Sequence, residues 1–271
     1  MVDMQEYQAT LDDFNSKIQD CDGLKDRVQE ACGKVVLLLR IFGGGAGLIT
    51  AEEVWERRDQ IHRKLEELMS KLGELSRGAA APLTFIDLAD GWKTGVQQHV
   101  KNASDTADQK TKLAGYWRGV AADKYGSVRD TQNKSLAAVY EMDTQVAKTL
   151  NELADSGWEF YKSVVKSLTD FLAKVATAIG KIAAVVTAPW GLSDTIDLVG
   201  KVVTTLVDLA LATATNLRTQ YKAKLDLQSL PAAQRGFSNG KWPEASTGDY
   251  SDATVTDGTN EWSVAPDVIP S

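Results

Sequence analysis

Proline is scarce in this sequence and unevenly spread: it stands at positions 82, 189, 231, 243, 266 and 270, with none between Pro82 and Pro189. A proline inside a helix removes a hydrogen bond and costs ~3 kcal/mol, so such gaps permit long helices and the prolines mark where they stop. The first proline-free block has the periodicity to use that permission. Tyr7, Phe14, Cys21, Val28 and Val35 recur at every seventh residue, with Leu11, Ile18, Cys32 and Leu39 between them and Lys25 as the one polar intruder. This pattern is the seam of a helix packed in coiled-coil style. A glycine run, GGGAG at 43–47, ends it, and Thr50 with Glu53 has the spacing of a capping box that opens the next helix. Val54, Ile61, Leu65, Leu68, Leu72 and Leu75 give that second helix one apolar face, which completes a helical hairpin.

The second block predicts a helix carrying Phe85, Trp92, Val96, His99, Ala103 and Leu113, then a junction. Beyond the junction a seam runs from Tyr125 through Val128, Gln132, Ser135, Val139, Met142, Val146 and Leu150, and on to Val186. Gly157 and Gly180 are candidate bends, but the phase survives both. In the third block Ser193 is a candidate N-cap, and periodicity continues to about Gln228. Helices are therefore expected at 3–41, 51–77, 84–115, 119–187 and 193–229. The fold class is all-α: an elongated up-down bundle of two helical hairpins plus a C-terminal helix. Its segments are an N-terminal hairpin at 1–82, a second hairpin with an extended second helix at 83–190 and a C-terminal helix at 191–230. An acidic tail at 231–271, rich in Gly, Ser, Thr, Asp and Pro, is expected to be disordered.

Charge and composition narrow the function by exclusion. The net charge is −7 and the pI about 5.0, with no basic stripe of the kind that holds nucleic acid. An acidic surface also disfavours docking on anionic lipid. The N-terminus has neither a basic cluster nor an apolar core, so no signal peptide is read there. The longest charge-free apolar stretch, 182–193, falls short of the ~20 residues of a spanning helix. Cys21 and Cys32 lie about three turns apart along one expected helix, too far for a disulfide, and both are expected to be buried. The two histidines, His62 and His99, stand in no metal-binding motif, and His99 is expected in the core. Neither a nucleophile elbow, a phosphate loop nor a dinucleotide fingerprint occurs. The expectation is a protein without enzymatic activity, cofactor or metal.

The junction in the second block reads AGYWRGVAADKYGS, residues 114–127. Trp117-Arg118-Gly119 lies between two helical runs, with small residues Ala121 and Ala122 and then Tyr125 just beyond. This resembles the WXG family of type VII secretion substrates over about 83–153, and the longer layout is similar to fused PE/PPE-like proteins of that pathway. The resemblance implies helical hairpins paired in a four-helix bundle. It also implies export directed jointly by the Trp-x-Gly turn and a Tyr-x-x-x-Asp/Glu motif. Trp117, Gly119 and Tyr125 would then be recognition residues. Here the sequence departs from the family, because no tyrosine has an acid four residues later; Tyr7, Tyr125 and Tyr221 each have one at the fifth, Asp12, Asp130 and Asp226.

A short link at 78–83 spans at most ~20 Å, too little to return along a helix of ~40 Å, so an up-down-up-down order follows. That order would bring Trp55 and Asp59, spaced as aromatic-x-x-x-acid, beside Trp117. By the resemblance, the partners are the type VII secretion machinery or a chaperone, with a helical partner or a second copy of the chain. The location is then secreted or cell-surface by a route without a signal peptide, and cytoplasmic before export. Two alternatives stay open: a membrane-inserting or pore-forming protein that uses the apolar hairpin at 175–217, and a purely structural coiled coil.

Overall fold

A computed structural model describes residues 4–42, 49–112, 117–184, 188–233, 237, 241–243 and 263–264. The elements are α1 (Met4–Asp22), α2 (Leu24–Phe42), α3 (Ala51–Gly78), α4 (Ala81–Gly91), a π-helical segment (Trp92–Gln97) and α5 (Gln98–Lys110). β1 (Trp117–Arg118), α6 (Val120–Ala183), α7 (Ala188–Ala233) and β2 (Ser263–Val264) follow. The protein is all-α, as the periodicity predicts. The chain forms two compact units, one of Met1–Ile86 with Asn151–Arg218 and the other of Asp87–Leu150 with Thr219–Ser271. These boundaries differ from the segments read off the sequence, because α6 and α7 are long enough for each to contribute to both units.

In the first unit α1 and α2 run antiparallel to α3. The Tyr7 hydroxyl donates to the Ala79 carbonyl at 2.7 Å, and Arg58 Nη1 to Gln29 Oε1 at 2.9 Å. The C-terminal part of α6 packs alongside, where Tyr161 Oη donates to the Leu75 carbonyl at 2.7 Å and Trp158 Nε1 to Thr10 Oγ1 at 3.1 Å. Tyr161 meets Tyr7, Phe14 and Phe160 edge-on, with ring centroids 6.2, 5.3 and 5.0 Å away. Leu24, Val28, Ile61, Leu65, Leu68, Leu72, Leu168, Ile182, Leu192 and Leu206 complete a continuous apolar core. The capping box is present: Thr50 N–H donates to Glu53 Oε2 at 2.7 Å, and Glu53 N–H to Thr50 Oγ1 at 3.1 Å.

Several expectations need correction. The helix expected at 3–41 is two, separated by a turn at Gly23. The turn lets Leu24 enter the core in place of Lys25, and the Lys25 ammonium pairs instead with Glu66 at 3.0 Å on the surface. The polar intruder thus never occupies the seam. The helix expected at 84–115 begins at Ala81, with Pro82 in its first turn, and ends at Lys110. Its π-helical segment holds an extra residue per turn, so the inward face moves on by one. Val100, Ser104 and Ala107 are half-buried, whereas His99 and Ala103 are exposed; His99 is not a core residue. Leu113 lies outside the described residues.

Helix α6 runs through Gly157 and Gly180 unbroken. Of its expected inner seam Ser135 is buried, but Val139, Met142, Val146 and Leu150 are half-buried, and Ala138, Asp143 and Ala147 lie deeper. Ser193 is an exposed residue within α7, which starts earlier, at Ala188, with Pro189 in its first turn. Within α7, Ala188–Thr215 is 28 residues long and its most apolar 18-residue window has a mean hydropathy of 1.5, enough by length and composition to cross a membrane. The charge-free criterion missed it, because Asp194, Asp197, Lys201 and Asp208 are spread thinly among apolar residues. Most of the tail lies outside the described residues. Within the described part, the Phe237 and Trp242 rings stand 6.0 Å apart, Gln132 Nε2 donates to the Pro243 carbonyl at 3.4 Å, and β2 pairs with β1.

Cys21 and Cys32 are buried, at 1% and 0% exposure. Burial, with Asp20 adding repulsion, pushes the Cys21 thiol up to about 12, and burial pushes Cys32 up to about 11. The thiolate is the reacting form. Both cysteines are therefore expected to react slowly with thiol reagents at pH 8 in the native protein and rapidly in denaturant; fast native labelling of both would refute the packing described for α1 and α2.

Candidate functional site: the Trp-Arg-Gly turn

The second unit contains an antiparallel pair of helices, α5 with the first part of α6. Gln97 Nε2 donates to Thr144 Oγ1 at 2.6 Å at one end of the pair. At the other end, α5 stops at Lys110: the Thr111 N–H still donates to the Ala107 carbonyl at 3.1 Å, but its backbone leaves the helical conformation at φ −110°, ψ 4°. The second and third turns of α6 then grip that helix end. The Tyr125 hydroxyl donates to the Thr111 carbonyl at 2.7 Å. One turn later, Arg129 Nε donates to Thr111 Oγ1 at 3.0 Å, and Nη2 to the Asp108 carbonyl at 3.1 Å and to Asp108 Oδ1 at 2.7 Å. The Arg129 side chain is only 15% exposed. A cation there satisfies carbonyls that the last turn of α5 leaves free and complements its negative dipole end.

This clip fixes both ends of the connection that carries Trp117. Trp117 and Arg118 are extended, as β1, and Gly119 turns the chain into α6 at φ 105°. Its carbonyl accepts the Asp123 N–H at 3.1 Å. A side chain is strained at such a φ. Gly119→Ala is accordingly expected to destabilise the protein by ~1–2 kcal/mol, measured as a shift of the urea midpoint; an unchanged midpoint would show that the turn relaxes freely.

Tyr125 thus has a defined role, while Asp130, the acid at the fifth position after it, lies 3.8 Å from Arg129 and is largely exposed. Sequence reasoning missed Arg129. Its signal was present as Tyr125 and Arg129 one turn apart at the start of α6, facing the end of α5. The side chain of Trp117 lies outside the described residues, as does the glycine run at 43–47.

Trp55 and Asp59 belong to the first unit, on α3, whereas Trp117, Gly119 and Tyr125 belong to the second. Arg58 links the first two: its guanidinium lies 4.5 Å over the Trp55 ring and pairs with Asp59 at 2.5 Å. Their expected place beside Trp117 stays an expectation. Among the described residues, no group of three or more His, Cys, Asp and Glu is placed to hold a metal ion. Comparison with known protein families, curated proteins and solved structures finds no match to this chain.

Proposed function

We propose that the chain is a non-enzymatic helical protein exported by, or associated with, a type VII secretion pathway, and that the Trp-Arg-Gly turn is part of its recognition signal. The observation that carries this reading is the clipped turn. A Trp-x-Gly sequence with no function needs only a loop. Here Tyr125 and Arg129 fix the flanking helix ends, and Gly119 takes the one positive-φ conformation recorded among the described glycines. Rigid presentation of a short extended segment is what a protein-recognition signal requires. The partners in this reading are the secretion machinery or a chaperone that meets the chain before export. Expression in a host with a type VII system tests it: the protein is expected in the medium, and its absence there both with and without the pathway's ATPase overturns the reading.

A second reading, membrane insertion, is favoured by one observation. The most apolar 18-residue window of Ala188–Thr215 is only 22% buried, and Trp190, Val207 and Leu211 are exposed. Core helices of soluble proteins hide such a surface. Release of dye from liposomes by the purified protein would favour this reading over export alone.

A further inference from the structure

The Trp-Arg-Gly turn is already occupied by part of its own chain. Ser263 and Val264 lie antiparallel to β1, with Val264 opposite Trp117 and Ser263 opposite Arg118. We infer that the C-terminal segment acts as an internal cover for the turn, added as a strand, and that any partner reading the backbone of the turn has to displace it. The inference rests on the recognition role proposed above and concerns regulation of that same site.

Three features support it. β1 is an extended segment between helices, so its backbone N–H and C=O groups are not paired within a helix as those of its neighbours are. Such an edge is a template for strand addition. The segment that occupies it comes from the acidic end of the chain: residues 231–271 hold six acidic and two basic side chains, and Glu261 and Asp267 flank β2 in sequence. Arg118, exposed on β1, supplies the opposite charge. The cover is also weak by construction. A two-residue ladder makes few hydrogen bonds, each favouring closure by only several-fold in water. In sequence, residues 234–262 lie between it and the end of α7. Such a ladder closes often enough to compete with a partner and opens readily enough to yield to one.

The test uses the full chain with Ser263→Pro and Val264→Pro together, which removes both N–H donors of β2 and leaves all seven helices untouched. Hydrogen exchange of the Trp117 and Arg118 amides in the purified protein is the first readout. At least one is expected to exchange roughly fivefold to tenfold faster in the double variant, and a synthetic peptide of residues 258–268 should restore protection. Unchanged exchange overturns the cover. Export is the second readout: the double variant is expected in the medium in larger amount than the parent, and an equal or smaller amount overturns the regulatory role. The recognition reading fails separately, if Trp117→Ala is exported normally while the exchange result stands.

Discussion

Trp117→Ala is expected to fold, to stay helical and to melt cooperatively, yet to accumulate inside the cells that make it. Truncating a fully buried tryptophan typically costs ~3–5 kcal/mol. The loss here is expected to be clearly smaller, because Trp117 belongs to neither helix of its hairpin. The bonds that hold the two helices together at this end come from Tyr125 and Arg129, and the substitution spares them. Circular dichroism and thermal melting of the purified variant give the structural half of the result, and its level in medium against cells gives the other. An unfolded variant would make Trp117 a core anchor and strip the resemblance of functional content. A folded variant that is exported normally would place the signal elsewhere.

Gly191→Ala should be strongly destabilising, because the added methyl group meets the backbone of the neighbouring helix. A β-carbon at Gly191 would fall 2.6 Å from the Ile182 nitrogen, 2.7 Å from the Ala178 carbonyl oxygen and 2.9 Å from Ile182 Cγ1. Two of these are backbone atoms of α6 and cannot move aside as a side chain would. Forcing α7 away from α6 disturbs Ala188, Leu192 and Thr195, all fully buried, together with the Lys181–Asp194 ion pair at 2.7 Å. A loss of ~3 kcal/mol or more is expected, at the upper end of what overpacking costs, and is measurable as a urea midpoint. A midpoint within experimental error of the parent would mean that the α6–α7 contact is looser than described.

How much of this was legible beforehand depends on the range over which each feature is determined. Helix existence and the Thr50–Glu53 capping box follow from a few neighbouring residues, and they are found where the sequence places them. The register of the seams was harder, because a local irregularity changes which side chain faces the core, briefly at Gly23, where Val28, Cys32 and Val35 keep their expected places, and for longer in α5. At Gly23 a single-residue break exchanged Lys25 for Leu24. In the π-helical segment, one extra residue turned His99 outward and Val100 inward. Periodicity averaged over a helix does not register either event. The site divides the same way. Gly119 is recognisable as a turn glycine from its neighbours, but the grip of Arg129 on Asp108 and Thr111 depends on how two helices meet. The pairing of Val264 with Trp117 joins positions so distant in sequence that no local pattern announces it.

The first unit is assembled from two stretches of sequence that are made at different times. Tyr7 and Phe14 emerge from the ribosome early, but Tyr161, against which both rings pack, is synthesised far later. At ordinary translation speeds the interval is roughly ten to thirty seconds. Throughout it, α1, α2 and α3 can pair with each other, but the wall that α6 and α7 supply does not yet exist, and the sides of the Tyr7 and Phe14 rings that Tyr161 covers stay open. A factor that binds exposed helical faces would find its target in that interval and lose it once Leu206 has been added and the core closes. For a protein proposed to be handed to an export apparatus, the nascent chain is therefore a place to look for the first partner, by crosslinking ribosome-bound chains arrested before residue 161 and well beyond residue 206.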